Sequence, residues 1–203
     1  MIFEQLFDKT SSTYTYLISS GPGREALIID PVLEHVNNYL KILNKLDLKL
    51  VKVIDTHIHA DHITGMSDLK NKTNCETIMG DKTPADIVSL KVKDQENITL
   101  DNFKLKAIYT PGHTYESFSF LMGDKVFTGD TLLIGGTGRT DFQNGNPYDS
   151  YNSIFNILLK LPDKTKVYPA HDYNGKFFST IENERRTNPR LRVNSADEYA
   201  DIM

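Results

Sequence analysis

Thr56-His57-Ile58-His59-Ala60-Asp61-His62 packs three imidazoles and a carboxylate into one short stretch, directly after the apolar, β-branched run Leu50–Ile54. Neutral imidazole nitrogen and carboxylate oxygen are ligands for zinc or iron(II). With no cysteine among them, the set suits a working site better than a closed structural one. A polar surface loop is the plain alternative. It is the weaker reading, because the chain has six histidines and half of them fall here, beside an Asp and at the end of an expected strand, where α/β sites sit.

Three later turns repeat the placement. Thr110-Pro111-Gly112-His113-Thr114 follows one expected strand, Phe127-Thr128-Gly129-Asp130 closes another, and Pro169-Ala170-His171-Asp172-Tyr173 closes a third. A lone His or Asp in a turn is usually solvated or capping a backbone group. The strand ends that carry His113 and Asp130 can both converge on the first loop, however, and His171 again stands at a strand end. His35 reads instead as a solvated helix residue, and Cys75, in a polar stretch with no histidine next to it, as structural.

The elements that must position these groups are legible as hydrophobic periodicity. Ile2–Phe7, Thr13–Ile18 and Ala26–Ile29 read as strands separated by Ser-Ser and Gly-Pro-Gly turns. Leu33, Val36, Leu40, Leu43 and Leu46 recur at helical spacing, and a short helix is expected near Thr64–Lys70. Strands are expected at Leu50–Ile54, Glu76–Met79, Phe103–Tyr109, Phe118–Met122, Lys125–Thr128 and Lys166–Tyr168, with a helix over Asp149–Leu159. Two capping boxes, Ser179 with Glu182 and Ser195 with Glu198, predict terminal helices, the first stopped by Pro189. The glycines between Thr131 and Pro147 form neither a phosphate-binding loop nor a dinucleotide fingerprint.

Composition narrows the function classes. With 203 residues, 39% of them hydrophobic, one domain over 1–203 is expected. A net charge of −4 gives no general attraction to nucleic acid or to an anionic membrane. A single cysteine rules out an intrachain disulfide framework and fits a reducing compartment. The N-terminal octet lacks a basic region followed by a long apolar one, and no later run approaches the roughly 18 apolar residues of a membrane span. A soluble, cytoplasmic protein is expected.

The order of these elements resembles the metallo-β-lactamase superfamily across nearly the whole chain. Within it, Thr56–Gly65, Gly138-Arg139-Thr140-Asp141-Phe142-Gln143, Pro169–Tyr173 and Asn188-Pro189-Arg190-Leu191 are similar to the persulfide dioxygenase (ethylmalonic encephalopathy protein) family. The resemblance implies a mixed α/β fold, a four-layer αβ/βα sandwich with the metal at one edge of its two sheets. It implies oxidation of glutathione persulfide by O2 to sulfite and glutathione at one Fe(II) per chain, held by His57, His113 and Asp130. His59, Asp61, His62 and His171 would then surround the site, Arg139 and Tyr173 would lie beside the glutathione portion, and a homodimer is the expected assembly. For Arg139 an ion pair with Asp141 is the competing reading.

Hydrolases of the same superfamily resemble the chain too. Glyoxalase II, a hydroxyacylglutathione hydrolase, fills two zinc or mixed-metal sites with the counterparts of all seven ligands, bridged by the counterpart of Asp130. It usually adds a C-terminal helical domain, for which little chain follows Asn188. A non-catalytic metal scaffold is the third and weakest reading, since a structural zinc needs only four closing ligands. Two departures bear on substrate preference: Tyr115-Glu116 stands where many dioxygenases have Pro-Gly, and Gly135 and Thr137 where others often carry Arg and Cys.

Overall fold

The computed structural model describes residues 1–203. Strands β1 (Ile2–Asp8), β2 (Thr13–Ser19) and β3 (Glu25–Ile29) form an antiparallel meander. Helix α1 (Val36–Lys45), entered through a 3-10 turn at Leu33–His35, then crosses to β4 (Lys49–Ile54), which pairs parallel with β3. Helix α2 (Met66–Thr73) makes the next crossover, to β5 (Glu76–Gly80), and β6 (Leu90–Val92) completes a six-stranded sheet in chain order.

The second sheet is also six-stranded: β7 (Asn97–Leu100), β8 (Phe103–Tyr109), β9 (Phe118–Met122), β10 (Lys125–Gly129), β11 (Lys166–Pro169) and β12 (Ser179–Thr180). Its pairings are antiparallel except β10 with β11. That parallel crossover runs through α3 (Pro147–Tyr151), which continues as π-helix and 3-10 turns to Lys160. Helices α4 (Ile181–Thr187) and α5 (Ala196–Asp201) follow.

The expected four layers are present. Tyr16, Leu27 and Ile54 of the first sheet meet Leu105, Phe118 and Phe127 of the second in a common core. Val36, Tyr39 and Leu43 of α1, with Met66 and Leu69 of α2, cover the outer face of the first sheet. Ile154, Leu158, Ile181 and Tyr199 cover that of the second. Burial of apolar surface on both faces of each sheet drives this stacking. No helix is long and apolar enough to cross a membrane.

Several expectations shift in detail. β6 and β7 are short, and β7 alternates exposed with buried residues around the polar Asn97 and Thr99, too weak a pattern to read beforehand. The stripe on α1 is centred on Tyr39 instead of Leu40, because the Tyr39 hydroxyl is paired with Thr15 and the Val32 amide, which lets the ring be buried. Thr180, not Ser179, caps α4 by accepting from the Asn183 amide. Ser195 does cap α5, but the Glu198 carboxylate turns to the Asn194 amide, so that box is displaced by one residue. His35 is half-exposed and pairs with Asp8 at 2.9 Å. Cys75 is buried and free.

Two bonds stitch the sheets together at the edge where the expected ligands lie. The Tyr16 hydroxyl donates to the Pro169 carbonyl at 2.5 Å, and the Tyr14 amide to Ala170 at 2.7 Å. They fix the end of β11 against β2, one or two residues before His171.

Candidate metal centre

The loop after β4 hangs from one buried carboxylate. Asp30, at φ +51° just beyond β3, accepts the Thr56 amide at 2.7 Å and the Thr56 hydroxyl at 3.1 Å. The Thr56 carbonyl accepts from Phe118 of β9, and the Ile58 amide donates to buried Glu116 at 2.8 Å. With its backbone tied at these points, the loop directs its histidines inward. His57 Nδ1 donates to Thr56 Oγ1 at 2.9 Å, whose own proton goes to Asp30. The Nε2 lone pair of His57 is thereby free.

The second sheet delivers its groups one per strand end. Gly112, at φ +140°, packs so tightly that a Cβ there would lie 2.3 Å from the Ser150 Cα; this turn presents His113. His113 Nδ1 donates to the Arg139 carbonyl at 2.8 Å, which turns its Nε2 inward. Gly129, at φ +53°, leaves no room for a Cβ beside Thr56 and presents Asp130. Asp130 Oδ2 lies 3.6 Å from His113 Nε2 and 4.0 Å from His57 Nε2. Ligand atoms of His57, His113 and Asp130 all fall within 4.8 Å of one another.

The other four expected residues converge as well. His59, Asp61 and His62 form a second group with ligand atoms within 4.8 Å. His171 Nδ1 bonds Asp130 Oδ1 at 2.7 Å, while its Nε2 bonds Asp61 Oδ2 at 2.8 Å. Thr13, which nothing in its sequence neighbourhood marks, joins Asp61 at 3.2 Å and His171 at 3.1 Å.

The electrostatics follow from this packing. Burial, reinforced by the neighbouring His59, keeps His57 far below the ordinary histidine range and so neutral. Burial opposes charge on Asp130, but His171, His57 and His113 outweigh it and hold the carboxyl well below its usual range. Burial likewise opposes protonation of His171, yet Asp130 and Asp61 push it up to about 10.

These donors fit a metal ion. His57 Nε2, His113 Nε2 and Asp130 Oδ2 lack competing hydrogen-bond donors, with His57 neutral and Asp130 anionic; they are the two-histidine, one-carboxylate set that leaves positions open. His59 Nδ1 and His62 Nε2 are buried with no hydrogen-bond partner at all. A third convergence, Asp30, Asp55 and His59, does not fit. Asp30 already accepts three bonds, and His59 Nε2 at 3.2 Å spends its proton on it.

A cavity of about 410 Å³ opens over the centre, lined by Asp61, His113, Asp130, Arg139, His171 and Tyr173 among others. Arg139 is largely exposed and forks onto Asp141 at 2.7 and 2.9 Å. It also lies over the Phe142 ring at 5.8 Å. Tyr173, 72% exposed, lies parallel to the His171 ring at 6.3 Å. Gln143, the last residue of the Gly138–Gln143 motif, reaches from the cavity wall to the Ile58 carbonyl at 3.1 Å.

The family model described as "Metallo-beta-lactamase superfamily" matches residues 9–87 and 80–171. The mitochondrial persulfide dioxygenase ETHE1 of Mus musculus is 39% identical over 100% of this chain and 80% of its own length. The chain belongs to the persulfide dioxygenase family of the metallo-β-lactamase superfamily. The crystal structure of ETHE1 from Myxococcus xanthus superposes with a TM-score of 0.97 at 46% identity, covering 100% of this chain and 89% of that one. A hydroxyacylglutathione hydrolase of Pelagibacter ubique is 32% identical over 96% of this chain and 82% of its own length. The chain is thus nearer to the dioxygenases than to this hydrolase, in agreement with the motifs at Gly138–Gln143 and Pro169–Tyr173.

Proposed function

We propose that residues 1–203 form one catalytic unit, a non-haem Fe(II) dioxygenase that oxidises glutathione persulfide, or a related low-molecular-weight persulfide, to sulfite and the free thiol. The observation that carries the reading is the meeting of three unengaged donor atoms, on His57, His113 and Asp130, beneath an open cavity. Each turnover consumes one persulfide, one O2 and one water, and yields one thiol, one sulfite and two protons. When bound, iron(II) supplies open positions for sulfur and O2 and the redox change that neither His nor Asp can provide.

The chain's own groups set the conditions. The Arg139 carbonyl and Thr56 hydroxyl fix the tautomers of His113 and His57. His171 keeps protons on both nitrogens, holding Asp130 on one side and Asp61 on the other. Arg139 offers a planar fork to a glutathione carboxylate once it leaves Asp141, and Tyr173 flanks the same mouth. Asp61 lines the same cavity, with His59 and His62 grouped beside it.

A second reading, a glyoxalase II-type hydrolase with two zinc or mixed metal ions, is favoured by the unpartnered His59 Nδ1 and His62 Nε2. Against it, Asp61 and His171 bond each other, with Thr13 closing the knot. We assign the protein to the cytoplasm, where the buried free thiol of Cys75 stays reduced, although the mouse relative is mitochondrial. We also assign it a homodimeric state, which sedimentation velocity checks. Anaerobic iron loading followed by aerobic assay tests the function. One iron per chain, O2 uptake and sulfite from glutathione persulfide are expected, with slow hydrolysis of S-lactoylglutathione. Rapid thioester hydrolysis without O2 uptake overturns the dioxygenase in favour of the hydrolase.

A further inference from the structure

A second cavity, of about 150 Å³, reaches His57 and His59 and shares no lining residue with the one over the metal centre. Ile58, Met66, Met79, Ala85 and Ile87 make most of its wall. Met66 and Met79 are buried, while Ile58, Ala85 and Ile87 are half-exposed, so the cavity opens outward through those three. Its inner end is formed by His57 and His59, both members of the clusters that could hold a metal.

Size and polarity restrict the occupant. Drug-sized ligands and cofactors take roughly 300 Å³ or more. Besides the His57 and His59 rings at the inner end, the polar groups are Asp55, whose Oδ1 has no partner, and Thr64. One water occupying about 30 Å³ satisfies them, and the remaining apolar wall offers further waters none of the two to four partners each needs. A cation finds one carboxylate on the wall, Asp55, because Asp30 lies outside the lining and His59 commits the proton on its Nε2 to Asp30. What remains is dry volume beside two polarisable thioethers, suited to a small apolar molecule.

We infer that this cavity is a dioxygen site, which admits O2 to the metal centre by a route separate from the persulfide. The inference rests on the dioxygenase reading above. A persulfide seated in the larger cavity stands between solvent and the centre on that side. A gas held behind His57 and His59 is one imidazole away from the centre.

Xenon serves as the probe, on zinc-loaded protein labelled with 13C at its methionine methyls. Of the five methionines, Met66 and Met79 line the cavity, whereas Met122 is buried in the core between the sheets. Under xenon pressure the Met66 and Met79 methyl signals should shift and Met122 should not. Ala85→Leu fills the opening, and Ile87→Phe does the same should the first fold poorly. Either should abolish the xenon response of the zinc-loaded protein and, in the iron-loaded enzyme, raise the KM for O2 about fivefold, leaving the KM for the persulfide unchanged. Wild-type turnover without a Met66 or Met79 response overturns this inference alone, as does an unchanged KM for O2 in a variant that no longer takes xenon. Absence of O2-dependent sulfite formation by the wild type overturns the dioxygenase reading itself.

Discussion

The two sheets supply the centre in different ways. The first sends four of the seven candidate ligands, His57, His59, Asp61 and His62, through the one loop after β4. The second sends three, His113, Asp130 and His171, one from each end of β8, β10 and β11. In the loop, spacing along the chain sets spacing in space, and a single buried anchor, Asp30, orients it. At the strand ends, position depends on sheet register and on glycines that allow backbone approaches no side chain tolerates. A cluster written in one loop carries redundancy that scattered strand-end ligands lack.

That contrast is broken most directly at Asp130. It is the one anion of the proposed triad, and His57, His113 and His171 all lean on it. Asp130→Ala should weaken iron binding about 100-fold or more, since it removes the charged ligand from a site otherwise built of neutral nitrogen. Metal analysis after anaerobic loading and desalting checks this; iron retained at one per chain would put the site elsewhere.

A paired substitution sharpens the comparison. His113→Ala, at a strand end, should lose most of the iron, whereas His62→Ala, in the loop, should keep close to one iron per chain. His62 lies outside the triad, and its contacts are to Asp61 and Thr13. Equal losses would mean that the two clusters bind as one dinuclear site, and the hydrolase reading would gain by it.

The same contrast explains what was legible in the sequence. The loop announces itself through local density, and β4 before it is plainly apolar. His113, Asp130 and His171 were each ambiguous alone, and gained meaning from their order after expected strands. Asp30 and Thr13 escaped because their roles arise only when β2 and β3 lie beside β4 and β11; the signal at Asp30 was at most an acid before Pro31. Glu116 was noticed as a departure, yet its function, accepting the Ile58 amide, needs the fold to be seen. Arg139 carries the ion pair with Asp141 that competed with substrate recognition in the sequence reading.

Asp55, beneath the loop, ties loop chemistry to stability. Burial pushes its carboxyl from an ordinary 3.8 up to about 7, partly offset by His59. Between those values the folded state binds more protons than the unfolded one, so this group makes stability fall as pH rises through the window. Asp55→Asn should flatten that slope in metal-free protein, by up to roughly 4 kcal/mol between pH 4 and 8. Denaturant titrations at both pH values read it, and an unchanged slope would show that Asp55 is already ionised and solvated in the fold.

The smallest expected effect lies at the rim, where neither sheet dictates position. Arg139 and Asp141 are both about two-thirds exposed, so their pairing is screened and easily exchanged for another carboxylate. Arg139→Lys keeps the charge and loses the fork. The main-chain carbonyl that orients His113 is untouched by this change, so iron content should stay at the wild-type level. The KM for glutathione persulfide should rise about two- to fivefold, with kcat nearly constant, as expected when binding is lost equally from ground and transition states. Asp141→Asn should act in the opposite direction, because it frees the guanidinium for the substrate. If Arg139→Lys instead lowers iron content at unchanged KM, the Arg139–Asp141 pair is a brace for the loop that orients His113, and recognition of the glutathione carboxylate must come from another residue.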